Sequence, residues 1–124
     1  MNGKFLLDTN AVIALLNGHA SLIALLQSAT WVSITVITEL EFLSFDGLSE
    51  QDKLLFEQFK SRIEVINLDT NDAPLIQEIC QIRQTYHLKL PDAIIGAAAI
   101  QNQATLLSND AIFARITTLS LQTF

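Results

Sequence analysis

Phe5-Leu6-Leu7 is a short apolar run with no polar residue alternating through it, the pattern of a strand buried on both faces. Helix-period sequence follows it, and the alternation repeats along the chain. Thr9 or Asn10 can cap a helix that ends near Leu16, with Gly18 suited to the left-handed position beyond it. A second helix is expected over 21–28. Residues 31–34 are β-rich, and a helix over 36–45 stops near Gly47. Ser49 and Asp52 open an amphipathic helix carrying Leu54, Leu55, Phe59 and Ile63. Residues 64–68 alternate as a strand, and 72–86 read as a longer helix. Pro91 suits the first position of a helix reaching Gln101, apolar almost all round and therefore buried. A strand over 105–107, a short helix over 110–115 and a last strand over 118–121 complete the pattern. Strands alternating with helices predict an α/β fold, an open parallel sheet covered on both faces. Ligands of such sheets bind beyond the carboxyl ends of the strands.

Composition narrows the field further. A chain of 124 residues is long enough to bury about two-thirds of its surface around one core, so one domain over 1–124 is expected. Apolar residues make up 50% and charged residues 16%, which excludes a disordered tail or a charge-rich coiled coil. Four glycines and two prolines leave little room for an all-β fold full of tight turns. No apolar run approaches the ~18 residues of a membrane span; the longest covers 93–100. Only Lys4 is basic near the start, and Asp8 interrupts the apolar run there, unlike a secretory leader. Cys80 is alone, so neither an internal disulfide nor a cysteine-based metal site is available. A cytoplasmic location is the expectation. The apolar excess also points to self-association.

The net charge of −6, from 13 acids and 7 bases, opposes nucleic-acid binding by phosphate neutralisation alone. A nucleic-acid role would need a local basic patch, a metal ion or a partner. The placement of the acids offers one. Asp8 directly follows the first strand, and Asp110 follows the 105–107 strand with Ser108 and Asn109 between. Asp92 opens the buried helix, and Glu39 lies early in the helix after the second strand. All four belong to the ligand edge of the sheet. Two like charges 4 Å apart repel by about 4 kcal/mol at an effective dielectric of 20, so convergence calls for protonation or a cation. A hard cation such as Mg²⁺ or Mn²⁺ suits an all-carboxylate site, and it can activate water against a phosphodiester. Each acid also has a structural reading. Asp8 and Asp110 can be N-caps, Asp92 a partner of the helix dipole, and Glu39 a solvated helix residue. Glu39 and Glu41 lie about 200° apart around a helix, so at most one faces the site, and periodicity does not choose between them.

Four segments carry a resemblance: Leu7-Asp8-Thr9-Asn10, Val36-Ile37-Thr38-Glu39-Leu40, residues 90–97 around Pro91-Asp92, and residues 107–113 around Ser108-Asn109-Asp110. In this order and spacing they resemble the motifs of the PIN domain, and within it the VapC-type toxins of toxin–antitoxin pairs. The resemblance spans essentially the whole chain. It implies a three-layer α/β/α domain with a roughly five-stranded parallel sheet, and Mg²⁺- or Mn²⁺-dependent endoribonuclease activity. It further implies that Asp8, Glu39, Asp92 and Asp110 form a catalytic, metal-binding cluster, and it selects Glu39 over Glu41. Thr9, Asn10 and Ser108 match the polar positions beside the acids. A homodimer and a cognate antitoxin protein are implied as partners, with RNA as substrate. Lys4 and Lys89, nearest in sequence to Asp8 and Asp92, are the candidates for phosphate contacts. The alternative is a non-catalytic dimeric binding module of the same fold. A receiver domain lacks its late-strand lysine here, a haloacid-dehalogenase-like phosphatase would need an acid where Asn10 stands, and no Gly-rich phosphate loop exists.

Overall fold

A computed structural model describes residues 3–124. The elements in chain order are β1 (Lys4–Leu7), α1 (Thr9–Leu16), α2 (Ala20–Gln27), β2 (Trp31–Thr35), α3 (Val36–Leu43) and α4 (Glu50–Lys60). They continue as β3 (Glu64–Ile66), α5 (Ala73–Tyr86), α6 (Leu90–Gln101), β4 (Thr105–Leu107), a short 3₁₀ helix (Ala111–Arg115) and β5 (Leu121–Gln122). The five strands form one sheet in the order β3-β2-β1-β4-β5, and every neighbouring pair is parallel. This is the expected α/β fold.

The two faces of the sheet bury different halves of the core. Leu6 and Leu106 face α5, α6 and the 3₁₀ helix, where Leu75, Ile79, Ile82, Ile94 and Phe113 pack. Phe5, Leu7 and Leu107 face the other way, onto Val12, Leu22, Phe42 and Phe56 of α1 to α4. Side chains of β1 alternate between the layers, as the period-two geometry of a strand requires. Residues Ala93 to Ala99 of α6 are all buried, as its all-round apolar sequence predicts. Gly96 allows the close approach: a Cβ there would stand 3.0 Å from Ile116 Cδ1 and 3.4 Å from Ile82 Cδ1. In the other layer the rings of Phe42 and Phe56 stack, 4.6 Å apart.

Several local expectations are corrected. Asp8, not Thr9 or Asn10, caps α1: its backbone is extended and its Oδ1 accepts the Ala11 N–H at 3.2 Å. Gly18 does take the left-handed position, at φ +83°. His19 caps α2 through Nδ1, a bond from the Leu22 N–H. Helix α3 ends at Leu43, short of Phe45, because Ser44 caps it. In α4 the capping box of Ser49 and Asp52 forms as expected. Its buried residue, however, is Phe56, while Leu54 is 53% exposed. Helix α6 starts at Leu90, so Pro91 takes its second position and Lys89 its N-cap. Strand β3 stops at Ile66, and β5 lies at Leu121–Gln122 rather than 118–121. Its register is set by pairing of Leu106 with Leu121 and of Leu107 with Gln122.

Candidate active site

The sheet runs outward from β1 in both directions: β2 and β3 on one side, β4 and β5 on the other. The strand order therefore reverses between β1 and β4, and an open α/β sheet leaves a crevice at the carboxyl ends of such a pair. A cleft of about 520 Å³ lies there. Asp8, Glu41, Asp92 and Asp110 line it, with Thr9, Asn10, Ser44 and Phe45. The acids come from four places in the chain: the end of β1, α3, the first turn of α6, and the loop after β4.

Asp8 is 5% exposed and is held on several sides. One oxygen caps α1, the other accepts a short hydrogen bond from Ser108 Oγ, and its N–H donates to Leu107 O at 3.2 Å. Ser108 Oγ in turn accepts the Asp110 N–H at 3.0 Å. One buried hydroxyl thus fastens both the Asp8 carboxylate and the Asp110 backbone. Asp110 caps the 3₁₀ helix, accepting the Ile112 N–H at 3.1 Å. The N-cap reading of Asp8 and Asp110 and their place in the cleft hold together.

Burial raises the Asp8 carboxyl above its ordinary range, against hydrogen bonds from Ser108 and Ala11, and the Asp110 charge adds to the rise. Asp92 is also raised, by burial first and then by the charges of Asp110 and Glu41, with Lys89 opposing. The acids therefore feel one another across the cleft. Asp92 gains partial compensation from the start of α6.

Glu39 corrects the expectation for α3. It is absent from the cleft lining, and its Oε2 lies 2.7 Å from Lys60 Nζ on α4. Glu41 occupies the cleft instead, and its Oε1 accepts the Thr9 hydroxyl at 2.6 Å. Two residues apart on a helix, the two side chains point to nearly opposite faces. Glu41 shares its cleft face with Ser44 and Phe45, three and four residues on. Lys4 is corrected as well. It begins β1, at the far end of the strand from the cleft; its Nζ donates to Asn102 O at 2.6 Å and sits 5.1 Å from the centre of the Trp31 ring. Lys89 does not line the cleft; from the N-cap of α6 its charge opposes the rise at Asp92. Asn10 lines the cleft, and its Oδ1 accepts the Asn109 N–H at 3.4 Å.

The donor set suits a hard divalent cation. It consists of carboxylate, hydroxyl and amide oxygens, and its carboxylates repel one another without one. Among the described residues no three acids already form a closed metal cage. A cation that keeps several of its waters, as Mg²⁺ does, needs only one or two direct carboxylates in such an open cleft.

A PIN domain family model matches residues 5–119. The chain belongs to the PIN domain family. The PIN fold is shared with VapBC2 from Rickettsia felis, solved bound to a DNA fragment from their promoter. That likeness has 25% identity and a TM-score of 0.80, covering 97% of this chain and 98% of that one. A toxin–antitoxin complex from Klebsiella pneumoniae is similar at 27% identity and a TM-score of 0.76, over 94% of this chain and 95% of that one. DNA-bound VapBC from Salmonella typhimurium shares the PIN fold, with 24% identity, a TM-score of 0.75 and 97% of each chain covered. No curated protein is significantly similar in sequence.

Proposed function

We propose that this PIN domain, one domain over residues 1–124, is a divalent-metal-dependent endoribonuclease and the toxin half of a toxin–antitoxin pair. The observation that carries the reading is the meeting of Asp8, Glu41, Asp92 and Asp110 in one cleft at the strand-order reversal. Similarity to VapBC2 and to the Klebsiella pneumoniae complex supports an antitoxin partner. A homodimer acting in the cytoplasm completes the proposal. Among the described residues no single helix is long and apolar enough to cross a membrane.

When bound, Mg²⁺ or Mn²⁺ lowers the pKa of a coordinated water and neutralises phosphate charge. Asp8 and Asp92 are the principal ligands in this reading, with Asp110 and Glu41 direct or through water. Ser108 orients Asp8, and Thr9 orients Glu41, each through a hydroxyl donor. Asn10 retains its amide nitrogen for a water or phosphate oxygen at the cleft wall. Lys89, the N-cap residue of α6, is the base this reading assigns to a phosphate near Asp92. The intact set of acids weighs against a non-catalytic module.

The test is cleavage of total RNA by the purified chain with Mg²⁺ or Mn²⁺, read by end-mapping. Fragments that require the metal, vanish with EDTA and are absent for Asp92→Asn are the expected result. Equal cleavage by Asp92→Asn would remove the assignment.

A further inference from the structure

Asn109 stands between Ser108 and Asp110 but does not line the cleft. Its carboxamide meets the chain just beyond β5. Nδ2 donates to the main-chain oxygen of Phe124 at 2.9 Å, and the Phe124 N–H donates to Oδ1 at 2.8 Å. The main-chain ladder between β4 and β5 reaches only as far as Ser108. Its rungs run from Leu106 N–H to Ser120 O, 2.8 Å, and from Ser108 N–H to Gln122 O, 3.2 Å. Past Ser108 the backbone leaves the sheet so that Asp110 can cap the 3₁₀ helix. The Asn109 side chain supplies the next rung. A carboxamide carries a donor and an acceptor in one plane, so it can pair with both polar groups of a backbone residue.

Phe124 is itself anchored. Its ring meets the His19 ring edge-on, 5.5 Å between centres, and packs on the core half that holds Phe5 and Leu7. The Asn109 N–H is tied in addition to Asn10 on α1. The loop 108–110 therefore hangs between α1 and the Phe124 backbone. Ser108 in this loop is the tether that Asp8 and Asp110 share.

We infer that Asn109 and the Phe124 main chain form a clasp outside the cleft that positions Asp110, and through Ser108 also Asp8, for a divalent cation. The inference rests on the metal-dependent reading above. Asn109 is then a positioning residue that touches neither metal nor RNA. Loss of such outer partners commonly weakens metal affinity by about 10- to 100-fold.

The experiment compares wild type, Asn109→Ala, Ser49→Ala and Asp92→Asn, all stripped of metal, at a temperature where each is folded. Mn²⁺ affinity is read by calorimetry, and hydrogen exchange is followed at the Asp110 amide. Asn109→Ala should bind Mn²⁺ at least about tenfold more weakly and exchange faster at Asp110. Ser49→Ala breaks the capping box of α4, away from the cleft; its melting temperature should fall while its Mn²⁺ affinity stays near wild type. Wild-type affinity in Asn109→Ala, beside lost binding in Asp92→Asn, overturns the clasp and leaves the metal reading standing. Equal weakening in Asn109→Ala and Ser49→Ala also overturns it, since general loosening then explains both. Wild type that binds no Mn²⁺ overturns the metal reading and the clasp with it.

Discussion

Glu39 and Glu41 share one turn of α3 and make opposite attachments, Glu39 to Lys60 and Glu41 to Thr9 at the cleft. Glu41→Gln should therefore weaken Mn²⁺ binding and RNA cleavage about tenfold or more, the scale of lost ligands or their close partners. Glu39→Gln should leave both unchanged and cost at most about 1 kcal/mol of stability, the range of a partly exposed ion pair. Calorimetry and urea unfolding on the two variants separate these outcomes. Asp8 and Asp92 carry a further prediction. Their carboxyls are raised in the folded chain, so the folded state holds protons more tightly than the unfolded one. Without divalent metal, the stability this contributes is fully present below the ordinary carboxylate pKa and is lost as pH rises through the raised values. Asp92→Asn should then melt higher than wild type at pH 7.5 in EDTA. The gap should narrow at pH 4.5; a gap of constant size would contradict the sign. Asp8, Asp92 and Asp110 were legible in the sequence because a lone acid after an apolar strand or at the head of a buried helix is conspicuous. Glu41 was not, because the side of a short helix that meets the sheet edge is decided by its neighbours.

At the scale of elements, local signals fared according to their chemistry. The Ser49–Asp52 capping box is written in two side chains and forms as read. Ser49→Ala should cost about 1 kcal/mol in urea unfolding. The buried face of α4 was less legible. Apolar residues at 54, 55, 56 and 59 fit two overlapping stripes, and the stack of Phe56 on Phe42 selects one. Phe56→Ala should accordingly cost about 3–5 kcal/mol, and Leu54→Ala within about 0.5. A larger loss at Leu54 would reverse the assigned face. Strand β5 is two residues long and owes its place to hydrogen bonds from Leu106 and Ser108, not to any propensity of its own. Residue patterns carry no trace of such a strand's register. Asp8 takes the α1 cap for a related reason: the extended residue that follows β1 already presents a carboxylate to the first free N–H groups of the helix.

The whole molecule joins these pieces through strand order. Because β4 returns to the other side of β1, the ends of two non-consecutive strands lie side by side, and Asp8 meets Ser108 across 100 residues of chain. The alternation of strands and helices announced a parallel sheet, but no residue announced which strand would neighbour β1. That neighbour creates the cleft, and under the proposed function the cleft lets an acidic chain handle phosphate: the acids would hold a cation, and the cation would meet the phosphate. Mn²⁺ titration calorimetry on wild type and on Asp8→Asn, Glu41→Gln, Asp92→Asn, Asp110→Asn and Glu39→Gln tests this most directly. One binding site lost or weakened in the first four variants and intact in Glu39→Gln is the predicted result. Binding that survives in Asp8→Asn and Asp92→Asn, or that fails in Glu39→Gln while Glu41→Gln keeps it, would contradict the account.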